Sequence, residues 1–173
     1  MHDIRSYVPE LFNEKGTLLY IGARKDAHSW LDELYQAEQK ITILEIWPQN
    51  IDFLINDHRI QKIIKGDVRK IKEISKRNKY DYVFWWHGPE HINKEELSKT
   101  IMQLEEITNK TIAMASPWGI YIQGPHKGNP YEEHLSHLSI EDFSLLGYNT
   151  ATDGLQNEPG SEIVAWKRIG EIP

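Results

Sequence analysis

The sequence contains no cysteine. That one absence excludes disulfide frameworks, thiolate metal centres and cysteine nucleophiles. No apolar run approaches the ~20 residues that span a membrane, and the opening MHDIRSYVPE lacks the apolar core of a secretory signal. A cytoplasmic protein with no membrane partner is therefore expected. An excess of positive charge is missing too. The formal net charge of −6 argues against nucleic acid as a partner, and the basic cluster between residues 62 and 77 reads as a solvated helix face. No repeat, low-complexity segment or long linker divides the chain, so its 173 residues are expected to form one domain, residues 1–173. Also absent is the Gly-x-Gly-x-x-Gly fingerprint that brings backbone against a pyrophosphate, which disfavours NAD and FAD.

What the chain does contain is a regular alternation of strand and helix patterns. Residues 1–16 read as a lead-in, with Tyr7, Val8, Leu11 and Phe12 on one helix of about two turns. TLLYIGAR (Thr17–Arg24) then reads as a buried strand closed by a glycine turn, with Asp26 capping a helix through Ala27, Trp30, Leu31, Leu34 and Tyr35. Strands follow at Ile41–Ile46, Ile60–Lys65, Tyr80–Trp86 and Thr111–Ala115. Pro48 starts a helix with Ile51, Leu54 and Ile55 inward, and Asn93 with Glu96 forms a capping box for another. Ser139 caps a short helix, and Tyr148–Thr152 with Glu162–Arg168 forms a terminal hairpin. Alternation of this kind predicts an α/β fold with five parallel strands, right-handed crossovers, helices on both faces and an antiparallel hairpin at one edge.

The residues that could carry chemistry collect at the carboxyl ends of these strands, where α/β sheets place their ligands. Gly22 permits a sharp turn and close approach of a ligand to the backbone. Glu45 follows it by roughly 20 positions, the spacing at which an acidic side chain accepts hydrogen bonds from ribose hydroxyls. Asp67 is in register to meet an adenine amino group, or to cap the helix that begins at Val68. The segment His87-Gly88-Pro89-Glu90-His91 is the densest chemical cluster. His87, Glu90 and His91 are catalytic candidates, with a histidine as general base; the plainer alternative is that Glu90 and His91 only hold the turn. Residues 116–138 form a long loop suited to a lid or substrate loop, with Trp118, Tyr121 and His126 as substrate-contact candidates. His134 and His137, with Glu133 or His126, are the only metal-ligand spacing, and no complete metal signature is present, so no metal is expected.

These segments together resemble the class I S-adenosylmethionine-dependent methyltransferases over nearly the whole chain. TLLYIGAR looks like their first motif, ITILEIWPQN like the second strand with its acidic residue, IIKGDV like the third, and YDYVFWWHGPEHI like the region of the fourth. WWHGPEH and SPWG…GNPYEEHLS are most similar to a branch of small methyltransferase-like proteins. The resemblance implies a Rossmann-like methyltransferase sheet of order 3-2-1-4-5-7-6, with strand 7 antiparallel. It implies S-adenosylmethionine as cofactor, with Gly22 and Ala23 at its methionine end, Glu45 and Ile46 at the ribose, Asp67 and Val68 at the adenine, and His87 beneath the sulfonium. The expected activity is methyl transfer to a small-molecule or protein acceptor, mainly by positioning. A cofactor-binding or scaffold protein that keeps the fold but transfers nothing stays open beside it, as does a homodimer.

Overall fold

The computed structural model describes residues 4–24, 30–76 and 78–170. Asp26 and Ala27, expected to begin a helix, and Arg77 of the basic cluster lie outside the described residues. Seven strands form one sheet: β1 (Thr17–Ile21), β2 (Lys40–Glu45), β3 (Ile60–Lys65), β4 (Tyr80–Trp86), β5 (Thr108–Pro117), β6 (Asn149–Asp153) and β7 (Glu162–Arg168). Their order is β3-β2-β1-β4-β5-β7-β6. Pairing is parallel from β3 through β5, and β7 runs antiparallel to both β5 and β6. This is the methyltransferase sheet expected from the resemblance. Because β1 lies between β2 and β4, connections leave in opposite directions on its two sides, and a crevice opens outside the carboxyl ends of β1 and β4.

The continuous apolar runs are strands buried on both faces. Leu18, Tyr20, Ile41, Ile43, Tyr82 and Phe84 point to one face, where they meet Ile4 of α1 (Ile4–Tyr7), Leu11 of α2 (Pro9–Asn13), Leu31 and Leu34 of α3 (Leu31–Gln36) and Leu54 of α4 (Pro48–Leu54). Their neighbours Leu19, Ile21, Val83 and Trp85 point the other way, against Ile71 of α5 (Ile71–Ser75), Leu97, Ile101 and Leu104 of α6 (Lys94–Glu106) and Phe143 of α7 (Ile140–Ser144). A period of two thus splits each strand between two cores. β3 is an edge strand, and its Gln61 and Lys62 are exposed.

Three local expectations are corrected. The lead-in is two short helices, because Pro9 has no N–H and starts a new helix at N1 after Val8, whose φ of −131° is not helical. β2 spans Lys40–Glu45, one residue earlier than expected, and Ile46 lies just beyond it. At α6 the Asn93 side chain makes no cap hydrogen bond, because the Glu96 carboxylate turns toward Arg69 (Nη1 to Oε2 3.1 Å). The capping box forms instead at α7, between Ser139 and Asp142. Among the described residues no helix is long and apolar enough to cross a membrane.

Candidate functional site

A cleft of about 990 Å³ occupies the carboxyl-terminal crevice. Its floor is β1 running into Gly22, and Gly22 has φ +68° with open space where a Cβ would stand. The left-handed turn and the free approach both favour glycine here. Glu45 enters the same cleft from the end of β2. Its side chain is locked: Oε1 accepts from the Trp47 N–H at 2.7 Å and Oε2 from Asn50 Nδ2 at 2.6 Å. Glu45 is only 6% exposed. Burial raises its pKa, the Trp47 and Asn50 hydrogen bonds oppose that rise, and the nearby Glu132 charge adds to it. Each oxygen keeps a lone pair for a hydroxyl donor.

The remaining expected binding residues divide. Ile46, Asp67 and Val68 line the cleft, as does His87. Asp67 also caps the 3-10 turn Val68–Lys70 and holds Arg69 through both oxygens, at 2.6 Å to Nη2. Burial raises the Asp67 pKa, and its bonds to Arg69 outweigh this and hold it below the usual range. Ala23 is not at the cleft. It is fully buried on the side of the sheet facing α1–α4, and only its carbonyl is engaged, accepting from Asn50. The left-handed turn at Gly22 breaks the strand alternation, so Ala23 lies on the face of Leu18 and Tyr20 instead of that of Leu19 and Ile21. Arg24 does reach the cleft wall, 3.6 Å from Glu132 of the loop.

The end of β4 delivers the histidine cluster. His87 has φ +48°, a strained value for a residue with a Cβ. Gly88 follows because a Cβ there would sit 1.9 Å from the Trp85 indole nitrogen. His87 Nε2 lies 2.7 Å from Glu162 and Nδ1 3.6 Å from Glu90. Burial works against its charge, but the Glu162 and Glu90 carboxylates prevail and push its pKa up to about 10. With a carboxylate facing each ring nitrogen, His87 is held toward its charged form. Glu90 is 2% exposed, and His87 and His91 outweigh its burial and keep it ionised.

Residues 118–138 lie over this end of the cleft. Of the expected substrate contacts only Tyr121 lines it. Trp118 packs against the core on the side of α5–α7, and its N–H donates to the Ser161 carbonyl. His126 is exposed in a two-way backbone pair with Asn129, outside the cleft. His137 is likewise exposed and does not join His134. His134 instead meets Glu90 and His91 at the cleft wall, their ligating atoms all within 4.8 Å of one another. Glu162 and Glu132 are cleft residues that the reading of the sequence did not assign, and His134, expected to pair with His137, lines the cleft without it. For Glu162 the signal was available: the first residue of an antiparallel strand beside β5 must sit at the carboxyl end of its parallel neighbours, and it pairs with Pro117.

No protein-family model and no curated protein sequence matches this chain. Solved structures do match in shape. The N-terminal domain of EvdMO1, determined in the presence of SAH and D-fucose, has a TM-score of 0.69 at 15% identity, over 95% of this chain and 80% of that one. The N-methyltransferase NodS from Bradyrhizobium japonicum WM9 gives 0.68 at 11% identity, covering 97% of this chain and 95% of NodS. Magnesium protoporphyrin IX methyltransferase ChlM from Synechocystis PCC 6803, with bound SAM, gives 0.61 at 13% identity, covering 95% and 76%. The chain has the fold of the class I methyltransferases. At such identities the likeness concerns the fold, and function has to be argued from the site.

Proposed function

We propose that this protein is an S-adenosylmethionine-dependent methyltransferase acting on a small molecule or a protein side chain. One observation carries the reading: the Gly22 bend and the Glu45 carboxylate open onto one cleft. Glu45 would accept the ribose hydroxyls, Ile46 and Val68 would flank the adenine, and Asp67 would take its amino group. Gly22 would let the methionine end lie against the backbone, with the cofactor supplying an electrophilic methyl group. Along the cleft wall carboxylates outnumber guanidiniums, which favours a cationic sulfonium. His87 acts as a fixed positive partner to Glu162 and Glu90 rather than as a base, so catalysis rests on holding the acceptor in line with the methyl group. Neighbours of the same fold that are methyltransferases, or were solved with SAM or SAH, support the assignment.

A non-catalytic cofactor-binding protein is the second reading. The observation that favours it is Arg24, whose guanidinium shares the cleft with the expected sulfonium position. Calorimetric titration of the full chain with S-adenosylhomocysteine tests the first part. Saturable binding at one equivalent is expected, and no heat at millimolar ligand overturns the cofactor assignment. Transfer of a labelled methyl group from S-adenosylmethionine to any member of an acceptor panel then separates enzyme from binder.

A further inference from the structure

The cluster at the loop side of the cleft has a property that cofactor binding does not use. Glu90 stands in the 3-10 turn Pro89–His91 with its carboxylate buried. Its Oε2 has neither solvent nor a hydrogen-bond partner among the described residues. A buried carboxylate oxygen left without a partner is costly, and a metal ion would supply one. The closest cation, His87, stands near the other oxygen at 3.6 Å.

The two imidazoles beside it are already oriented. His91 Nδ1 lies 3.0 Å from the Glu133 carbonyl and His134 Nδ1 2.8 Å from the Tyr121 carbonyl. A carbonyl only accepts, so each Nδ1 carries the hydrogen, and Nε2 is the ring nitrogen left to bind a metal. This is the arrangement by which proteins fix metal-binding histidines from behind. The loop is in turn fastened to the turn. The N–H groups of Leu135 and Ser136 donate to the Glu90 carbonyl at 2.9 and 3.1 Å, and the Ser136 hydroxyl donates to the Ile92 carbonyl at 2.5 Å. Two segments more than 40 positions apart are thereby held in one register.

We propose that Glu90, His91 and His134 form a binding site for a divalent transition-metal ion of the Zn²⁺ class. The ligand set is two imidazoles and one carboxylate, which suits Zn²⁺, Co²⁺, Ni²⁺ or Fe²⁺ and disfavours Ca²⁺ and Mg²⁺. The donors lie within 4.8 Å of one another. Around zinc, with bonds of about 2.0–2.2 Å, tetrahedral donors stand roughly 3.4 Å apart. The rings therefore close inward by about an ångström on binding, a movement that the part-exposed His134 on its loop can make. Three protein ligands leave a fourth position facing the cleft, open to water or to an oxygen or nitrogen atom of a bound molecule. The site stands independently of the methyl-transfer reading; only a role in holding the acceptor rests on it.

The test uses the full chain stripped with chelator and titrated with ZnCl₂ by calorimetry, and with CoCl₂ by visible absorption. One equivalent of Zn²⁺ and a cobalt band typical of nitrogen and oxygen ligation are expected. His134→Ala and His91→Ala should each lower Zn²⁺ affinity at least tenfold, Glu90→Gln likewise, and His137→Ala should leave it unchanged. Thermal melting checks that each variant is folded. If buried Glu90 or His91 proves essential to folding, the loop substitution His134→Ala decides alone. Absence of stoichiometric binding, or equal affinity in wild type and His134→Ala, overturns the proposal. S-adenosylhomocysteine titrated with chelator present keeps the two ideas apart: cofactor binding without zinc binding sinks this site only, and the converse sinks the cofactor assignment only.

Discussion

At the amino-terminal end of the sheet, the Glu10 carboxylate accepts from Thr111 Oγ1 at 2.9 Å and from Arg168 Nε at 2.9 Å and Nη2 at 3.1 Å. Asp81 accepts from both the N–H and the hydroxyl of Thr17, and Glu14 from the Tyr82 hydroxyl. At the carboxyl-terminal end, Glu90 keeps one oxygen without a partner among the described residues. Glu45 there accepts from the Trp47 N–H and from Asn50. Glu10 and Glu45 titrate in opposite senses, whereas Asp67 and Glu90 at the cleft are lowered as Glu10 is. Burial would raise Glu10, but the Arg168 and Thr111 bonds outweigh it and hold Glu10 below the ordinary range. For Glu45 burial wins and the pKa rises. Carboxylates at one end therefore join strands and helices together. At the other end Asp67 and Glu162 pair with Arg69 and His87, and it is Glu45 and the Glu90 Oε2 that are held ready for something that is not part of the chain.

Substitutions should separate the two ends cleanly. Glu45→Ala is expected to have the largest effect, lowering affinity for S-adenosylhomocysteine by about 30-fold, near 2 kcal/mol, through loss of charge-assisted bonds to two hydroxyls. Its melting temperature should not fall, since a costly buried charge leaves with it. Calorimetry and thermal melting read both quantities, and unchanged affinity would break the contrast. Glu10→Ala should do the reverse. It leaves Arg168 and Thr111 without their shared acceptor and should cost about 2 kcal/mol in urea unfolding, with ligand affinity kept within twofold. A Glu10→Ala protein as stable as wild type would mean that this end carries no stability in its ion pairs.

The same contrast explains what could be read from the sequence. The central strands were legible because burial on both faces writes an unbroken apolar run, as at Leu18–Ile21 and Val83–Trp85. Gly22 and Glu45 were legible as cleft residues because strand ends in an α/β sheet fall at known places. Ala23 was not, because the left-handed turn at Gly22 breaks the alternation and sends its side chain into the core on the side of Leu18 and Tyr20. Trp118 and His126 do not line the cleft, and residues 116–138 have no period, so nothing local says which side chains turn inward. The Glu90–His91–His134 cluster was beyond reach for the same reason. It is assembled by loop-to-turn hydrogen bonds across more than 40 positions, and the histidine spacing in the loop pointed to His137 instead.

Smaller effects sharpen the comparison. Gly22→Ala meets no steric obstacle, but its φ of +68° costs a residue with a Cβ about 1 kcal/mol. The new methyl group also stands in the cleft, so ligand affinity should fall together with stability. A stable variant that binds normally would mean that the ligand does not approach this bend. The smallest and most diagnostic test is the sign of the pH dependence. At the amino-terminal side of β3, Asp57 is bound by Arg59, with Nη2 at 2.5 Å, and the guanidinium holds its pKa at about 2, below the unfolded value of 3.8. Its contribution is full above the unfolded value and is lost as pH falls through the folded one. The stability gap between wild type and Asp57→Asn, read by urea unfolding, should therefore be largest near neutrality, about 1 kcal/mol after solvent screening, and should narrow as pH drops below about 4. Glu45→Gln should show the opposite slope. The Glu45 pKa is raised above 4.5, so the native state holds its proton longer than the unfolded chain, and ionisation costs stability as pH rises from 4.5 through the raised value. The Gln variant should match wild type in acid and exceed it at neutral pH. If both variants follow the same slope, the carboxylates at the two ends of the sheet are held alike, and the cleft has lost its claim to be the end reserved for a ligand.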